Sequence, residues 1–541
     1  MKRLFTIIAV GGLLLTGCAS VPSDWGRNDV SEIVSMRGIN LRLDETDESD
    51  RIVRQLLEQA LSPQTSVQVA LLRNPDLRAL YARLGLAAAD VYEAGRLSNP
   101  RLSAAVLDSN QPGAMNQLTF GLSQSFTDLL LLPARSRFAK GEFERVKEMV
   151  ASDILNLSLD VKDAFYRYAG ASQLVKMRQA IVKATKASAD LAQRFFDAGN
   201  LNRFELAFER AAASEARLSL LEAIAERTRA RGEMSRLLGL AQREQWQIVS
   251  GLLQPPATDE DLDSLYKLAD SSRLDLIATR RKVELQADVL GVTRKWRWLG
   301  DLEVGYETER ESDGERLRGP NLVWELPIFN QHVDSITRAE SQLLRAEAGL
   351  QRLVIDVGIE VYAAHAEMHQ AKTRFLEIQK TLLPLREEIV ARAQEQVNYM
   401  LLGVFDLLRL KQREYDTYAS YLNTVRDYWL ARLALERAVG TSLATAEEST
   451  GAIIDASDIT TPKIVNGMDH GHMMHDTSGD ENKPSPHHKH MQDQDKPESE
   501  HMNHKEHDSS PVRSEEDDPD DAQSDEAPEN AHTDHGGSSN E

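Results

Sequence analysis

The chain carries one unit twice. Phe204-Glu205-Leu206 stands 35 residues before Gly239, and Phe405-Asp406-Leu407 stands the same distance before Gly440, so both landmarks are offset by 201 residues. Upstream, Asp160-Val161 with Tyr166 recurs as Asp356-Val357 with Tyr362, an offset of 196, and Asp76-Leu77 recurs as Asp275-Leu276, an offset of 199. A duplicated unit of about 200 residues restricts the fold to one body completed by two similar halves.

Charge is unevenly spread along the 541 residues. The formal net charge is −22, but Gly467–Glu541 holds 21 acidic and 5 basic residues, a net of −16, which leaves about −6 for everything before it. No basic face is evident, which argues against a nucleic-acid partner. With one cysteine, neither an intrachain disulfide nor a thiolate metal cage can form. That residue, Cys18, follows a charged Lys2-Arg3 and an apolar Leu4–Leu15 that is too short to span a bilayer. Leu15-Thr16-Gly17-Cys18 resembles a bacterial lipoprotein signal. The resemblance implies that residues 1–17 are removed and that Cys18 becomes the lipid-bearing (palmitoylated) N-terminus. Ala19, standing where Asp would signal inner-membrane retention, implies the outer membrane.

Residues 18–60 are polar and turn-rich and are expected as an extended lead-in. The two units are then placed at 61–250 and 257–445, with a tail at 446–541. In the first, a helical pattern runs from Pro63 to Leu97 and breaks at Asn99-Pro100. Leu102, Ala104 and Val106 then alternate with Arg101, Ser103 and Ala105, and Leu118, Phe120 and Leu122 alternate with Gln117, Thr119 and Gly121. Period-two alternation means strand. The second unit repeats it, with Leu302, Val304 and Tyr306 against Asp301, Glu303 and Glu307, and with Leu322, Trp324 and Leu326 against Asn321, Val323 and Glu325. Polar Glu309–Pro320 reads as the intervening loop. Ala134–Ala198 has no proline, and about 65 helical residues span on the order of 95 Å. Its counterpart runs from His332 to Tyr399, with Pro384 predicting a kink. Helices of that length need to pack side by side.

The strands pose a physical problem. Each has one apolar and one polar face, and no helical pattern nearby covers the apolar one. In lipid an open sheet edge is forbidden, because nothing there satisfies the backbone groups. Apolar-out, polar-in alternation suits a transmembrane barrel, which needs about eight strands at least. Four strands cannot close one, so copies have to pool them. Two copies give eight strands and three give twelve, and counting alone does not choose.

Several segments resemble the TolC-like outer-membrane efflux family. They are Leu71-Leu72-Arg73-Asn74-Pro75-Asp76-Leu77, Ala94-Gly95-Arg96-Leu97-Ser98-Asn99-Pro100, Gly199…Phe204-Glu205-Leu206 and Asn398-Tyr399-Met400-Leu401-Leu402-Gly403-Val404-Phe405-Asp406-Leu407-Leu408, in register over residues 60–445. The resemblance implies a mainly α fold with a small β part. A homotrimer would share a twelve-stranded outer-membrane β-barrel, continued by a long periplasmic α-helical barrel. The implied partners are a periplasmic adaptor and an inner-membrane pump of the RND type, in a Gram-negative bacterium. Gly199 lies six residues before Glu205, whereas the second copy has Met400 in that place, a variant resembling a heavy-metal and copper-associated branch. Glu205 and Asp406 are expected near the periplasmic tip as gate candidates. Asp406 is equally explained as a solvated carboxylate at a helix start.

Eleven of the fourteen histidines lie in the tail beside five methionines. They form three clusters: His470, His472, Met473, Met474 and His475; His487, His488, His490 and Met491; and His501, Met502, His504 and His507. Imidazole suits copper, zinc and nickel, while thioether sulfur selects Cu(I), so interleaving the two predicts a copper-collecting segment. Low hydrophobicity and high negative charge predict no packed core there. His365 and His369 have i,i+4 spacing, but read better as an exposed helix face. Asp301, Glu303, Glu307 and Glu325 share the polar register and would line the lumen. No phosphate loop, nucleophile elbow or paired-carboxylate motif appears, so no enzyme is expected, no cofactor is required, and energy has to come from a partner. The expected function is a passive duct for heavy-metal ions, copper or silver first. The alternatives are a duct for organic compounds with an incidental tail, or a metal-buffering periplasmic lipoprotein.

Overall fold

The computed structural model describes residues 24–39, 46–443 apart from positions 109, 111, 242, 257–259 and 330, and 453–460. Two units divide the chain, 1–464 and 465–541, and every described residue belongs to the first.

The expected lead-in is not extended. It holds α1 (Arg27–Ser35) and α2 (Thr46–Leu57). Val30 and Val34, one turn apart, bury against the body, and the Lys147 amine bonds Asp29 and Glu144 at 2.7 Å each. One apolar pair in a polar stretch is too short a period to read as a helix. The helix expected over 63–97 is two, α3 (Pro63–Arg73) and α4 (Pro75–Ala94). Pro75 forces the residue before it out of the helical region, and Asn74 accordingly has ψ 124°.

Then come β1 (Arg101–Leu107), β2 (Gln117–Ser125), α5 (Phe126–Asp197) and α6 (Arg203–Leu237). At 72 residues α5 reaches about 108 Å. It starts before Pro133 because Ser125 Oγ caps it, accepting from Asp128 N at 3.2 Å. The two-residue β3 (Leu252–Leu253) leads to the second unit, in which α7 (Leu262–Ser272), α8 (Leu274–Lys295), β4 (Leu302–Arg310) and β5 (Arg316–Trp324) precede α9 (Val333–Glu377). A π-helical turn over Ile378–Leu382 joins α9 to α10 (Leu383–Asn398), at the place Pro384 marked. α11 (Val404–Val439), β6 (Ile453–Ile454) and α12 (Ala456–Thr460) complete the body. Among the described helices, none is long and apolar enough to cross a membrane.

The duplication recurs as geometry. Asn74 Nδ2 donates to the Leu237 carbonyl at 2.8 Å, and its counterpart Arg273 donates from Nη1 to the Ala438 carbonyl at 3.1 Å. Beside them Gly239 and Gly440 sit at φ +67° and +79°. A Cβ on Gly239 would meet the Arg73 carbonyl at 2.6 Å, and one on Gly440 would meet Arg273 at 2.8 Å. Each junction thus closes the end of a long helix onto the start of its own unit, and at each only glycine fits. The core lies between the halves, where Tyr166 of α5 stacks on Trp429 of α11 at 5.3 Å. Trp429 Nε1 donates to the Leu253 carbonyl at 2.7 Å, and β3 pairs antiparallel with β6. The chain after Leu443 therefore returns to the body: Asp455 bonds Lys176 Nζ at 3.0 Å and also accepts from Ser250 and Ser457. Residues 453–460, expected within the tail, form a strap on α5.

Candidate functional site

β1, β2, β4 and β5 form one antiparallel sheet in the order β1-β2-β4-β5. Its register sorts the two faces. Leu102 faces Leu122 and Ala104 faces Phe120 across β1–β2; Leu122 faces Tyr306 across β2–β4; Val304 faces Leu322 and Leu302 faces Trp324 across β4–β5. Cross-strand partners share a face, so a continuous apolar surface covers one side of all four strands. The opposite side carries Ser103, Thr119, Gly121, Ser123, Glu303, Glu307 and Glu309. Exposure gives the curvature. Phe120, Leu122, Val304 and Tyr306 are exposed, while Glu303, Gly305, Glu307 and Glu309 are half-buried, so the polar side is concave.

The concave face is bonded across strands. Arg101 Nη1 lies 2.6 Å from Glu303 Oε1, Ser123 Oγ donates to Glu303 Oε2 at 3.4 Å, and Asn321 Nδ2 donates to Glu307 Oε2 at 3.2 Å. Gln117 Nε2 donates to Glu309. Asp301 and Glu325 lie at the base, where the Glu325 amide donates to the Asp301 carbonyl at 2.8 Å. Sequence patterning missed Arg101 and Glu309. The expected loop 309–320 is mostly strand: β4 runs to Arg310, β5 begins at Arg316, and only 311–315 turn. The alternation was hidden there because Arg310, Arg316 and Arg318, not apolar residues, occupy the convex register.

The sheet stands at one end of α5 and α9, and the helical turns lie at the other. After α5 the Asn200 amide donates to the Phe195 carbonyl at 2.8 Å, and the Gly199 amide to Phe196 at 2.9 Å, with Gly199 at φ +75°. After α10 the Leu401 amide donates to Gln396 and the Met400 amide to Val397, both at 2.9 Å, with Met400 at φ +59°. These are the same Schellman closure, with Met400 adopting the left-handed conformation that Gly199 adopts freely. Glu205 caps α6 reciprocally with Asn202: its amide donates to Asn202 Oδ1 at 2.9 Å, and its carboxylate accepts from the Asn202 amide at 3.3 Å. Asp406, exposed, lies 3.1 Å from Arg409. Phe195 and Phe405 meet edge-on at 5.9 Å, bringing the two turns together.

His365 Nε2 is 3.1 Å from the Glu260 carbonyl, and among the described residues no group of three His, Cys, Asp or Glu is placed to hold a metal. Cys18 and the tail candidates (His470, His472, Met473, Met474, His475, His487, His488, His490, Met491, His501, Met502, His504 and His507) lie outside the described residues.

One interface is made only once. α5 packs along α11. The repeat-related contact, α9 along α6, is not formed to any extent. Both helices instead expose apolar stripes, Leu344, Ile355, Ile359 and Tyr362 on α9 and Phe204, Phe208, Leu218 and Leu221 on α6. Tyr166 is buried on Trp429, whereas its duplicate Tyr362 is 60% exposed. β1 and β5 likewise keep free outer edges among the described strands.

Residues 66–240 match the family model described as outer membrane efflux protein. The chain is 20% identical over 409 residues to the cobalt-zinc-cadmium resistance protein CzcC of Cupriavidus metallidurans, covering 74% of this chain and 96% of that protein. Its fold is similar to that of the Campylobacter jejuni outer membrane channel CmeC, with TM-score 0.60, 16% identity, and 70% of this chain against 85% of that one. It is also similar to the open state of the Neisseria gonorrhoeae outer membrane channel MtrE, with TM-score 0.58, 16% identity, and 70% against 89%. With a two-faced sheet at one end of paired helices about 100 Å long, the chain has a fold similar to that of these outer-membrane channels, and its residues 66–240 are similar to the outer membrane efflux protein family.

Proposed function

We propose that this chain is one of three identical subunits of the exit duct of a heavy-metal efflux system, with copper or silver as its first cargo. The carrying observation is the unmade contact. α6 of one copy and α9 of the next form, head to tail, the interface that α5 and α11 form within a chain, and a heterologous contact whose rotation closes generates a ring. The same step joins β1 of one copy to β5 of its neighbour, so that no edge faces lipid. Three copies supply twelve strands, with the concave carboxylates Glu303, Glu307 and Glu309 and the basal Asp301 and Glu325 around the lumen. Glu205 and Asp406 then ring the far end, Asp406 as the gate carboxylate and Glu205 chiefly as a helix cap. An adaptor and an RND-type pump supply the energy, and lipid on Cys18 adds an anchor in the outer membrane.

Two observations support a metal cargo: the alternating His/Met clusters of the tail, and similarity to a protein named for cobalt, zinc and cadmium resistance. The tail collects metal for the duct. The test is deletion of the gene, followed by growth on copper, silver, cobalt, zinc, cadmium and a panel of organic toxicants. Loss of metal tolerance, restored by the full chain, is expected. Sensitivity to the organic panel with normal metal tolerance would favour the duct for organic compounds instead. Removing residues 467–541 should reproduce part of the copper sensitivity, and unchanged tolerance would exclude a required role for the tail.

A further inference from the structure

The duplication repeats one more feature, at the base of the sheet. Arg96 and Arg297 are 201 residues apart, and each stands five residues before the first strand of its unit. Each lies over an aromatic ring, Arg96 over Tyr92 at 3.6 Å and Arg297 over Trp298 at 4.5 Å; Lys295 lies 5.5 Å from the Trp296 ring. Their neighbour Arg294 is paired with Glu340 at 2.5 Å, whereas Arg96, Lys295 and Arg297 form no ion pair among the described residues. Arg297 Nε is buried without a protein acceptor. Trp298 is 54% exposed, and across the sheet base Ile328 and Phe329 are exposed as well.

Unpaired cations held on aromatic rings, just below an apolar sheet surface, have the chemistry of a membrane interface. The rings sit at headgroup depth, and the cations meet headgroup phosphates there. We propose that Arg96, Lys295 and Arg297 form a girdle that binds the phosphates of anionic glycerophospholipids in the leaflet nearest the helices. The inference rests on the outer-membrane channel reading. The occupant is a lipid and not free phosphate, because exposed Trp298, Ile328 and Phe329 lie at the same base of the sheet. In a closed ring, the two arginines per chain recur around the barrel and fix its depth in the bilayer. A single-copy feature could not do this evenly, which gives the second unit's reproduction of the motif a physical purpose.

The test uses full-length protein extracted from outer membranes and exchanged into nanodiscs holding equal phosphatidylglycerol and phosphatidylcholine, with retained lipid counted by native mass spectrometry. The wild type should retain phosphatidylglycerol selectively. Arg96→Gln with Arg297→Gln should lower that preference about thirtyfold, as expected for two cations removed from an anionic surface, and Arg96→Lys with Arg297→Lys should restore most of it. Should the double variant fail to assemble, the single Lys295→Gln is measured in its place, with a reduction of about fivefold expected. Equal retention of both lipids by the wild type, or an unchanged preference in the Gln variants, would overturn the girdle while leaving the channel intact. Absence of the wild-type chain from the outer-membrane fraction would instead overturn the channel reading and the girdle with it.

Discussion

Replacing Asn74 tests whether the repeated junctions hold the two long-helix ends in place. Asn74 is 3% exposed and does two jobs. Its Oδ1 caps α4, accepting from the Asp76 amide at 2.7 Å, and its Nδ2 satisfies the Leu237 carbonyl at the end of α6, 2.8 Å away. Asn74→Ala loses the cap, about 1 kcal/mol, and strips a buried carbonyl of its donor, about 1–3 kcal/mol. The sum, about 2–4 kcal/mol, corresponds to about 30- to 1,000-fold more frequent local opening. Amide hydrogen exchange followed by mass spectrometry reads it in peptides covering 74–80 and 234–241. Asn74→Ser keeps a capping oxygen but cannot reach Leu237, so it should show only the second part. Exchange in Asn74→Ala within about threefold of wild type, or equal acceleration everywhere in the body, would refute the account of the junction.

Three further outcomes follow from the geometry. Neutralising the concave face with Glu303→Gln, Glu307→Gln and Glu309→Gln should cut cation selectivity severalfold in planar-bilayer reversal potentials, while unchanged selectivity would place these groups off the permeation path. Asp455 is held well below the ordinary carboxylate range: burial opposes ionisation, but bonds from Ser250, Ser457 and Lys176 outweigh it. Its stabilisation is therefore fully present above the ordinary pKa and lost only as pH falls through the lowered one. The 453–460 strap should stay docked at pH 4.5 and be loosened at neutral pH by Asp455→Asn; exchange protection corrected for intrinsic rate checks both, and release of the wild-type strap at pH 4.5 would contradict the sign. Met400→Gly should steady the second turn by about 1 kcal/mol, because a left-handed residue no longer strains a Cβ. Faster exchange at 399–403 would show that Met400 stabilises the turn by contacts.

Much of the fold was legible because long helices and two-faced strands write their period into the sequence. β1 matched its alternation residue for residue, and Pro384 announced the π-helical turn. Boundaries were lost where a local rule competed with the period. Pro75 split one helix in two, and the Ser125 cap let α5 begin ahead of Pro133. The site was legible only in part. Glu303 and Glu307 were readable from register, whereas Glu309 and Arg101 depended on where β4 ended and which strand lay opposite. The Asp455 clamp joins residues more than 200 positions apart, Ser250 to Asp455, and no local pattern signals it. Glu205 was found but its cap role was not, since that needs Asn202 three residues earlier to return the bond. The junction pairs Asn74 with Leu237 and Arg273 with Ala438 carry the duplication most plainly, yet Asn and Arg share no side-chain pattern.

As proposed, one chain is an unfinished ring. Native mass spectrometry of the full-length protein, released from outer membranes in mild detergent, measures this directly. An assembly of three chains that heating converts to single chains is expected, with Tyr362→Asp on the unmade α9 face shifting the population toward monomer. A protein that remains a stable monomer, or a trimer indifferent to Tyr362→Asp and to charges placed on Leu218 and Leu221, would contradict it.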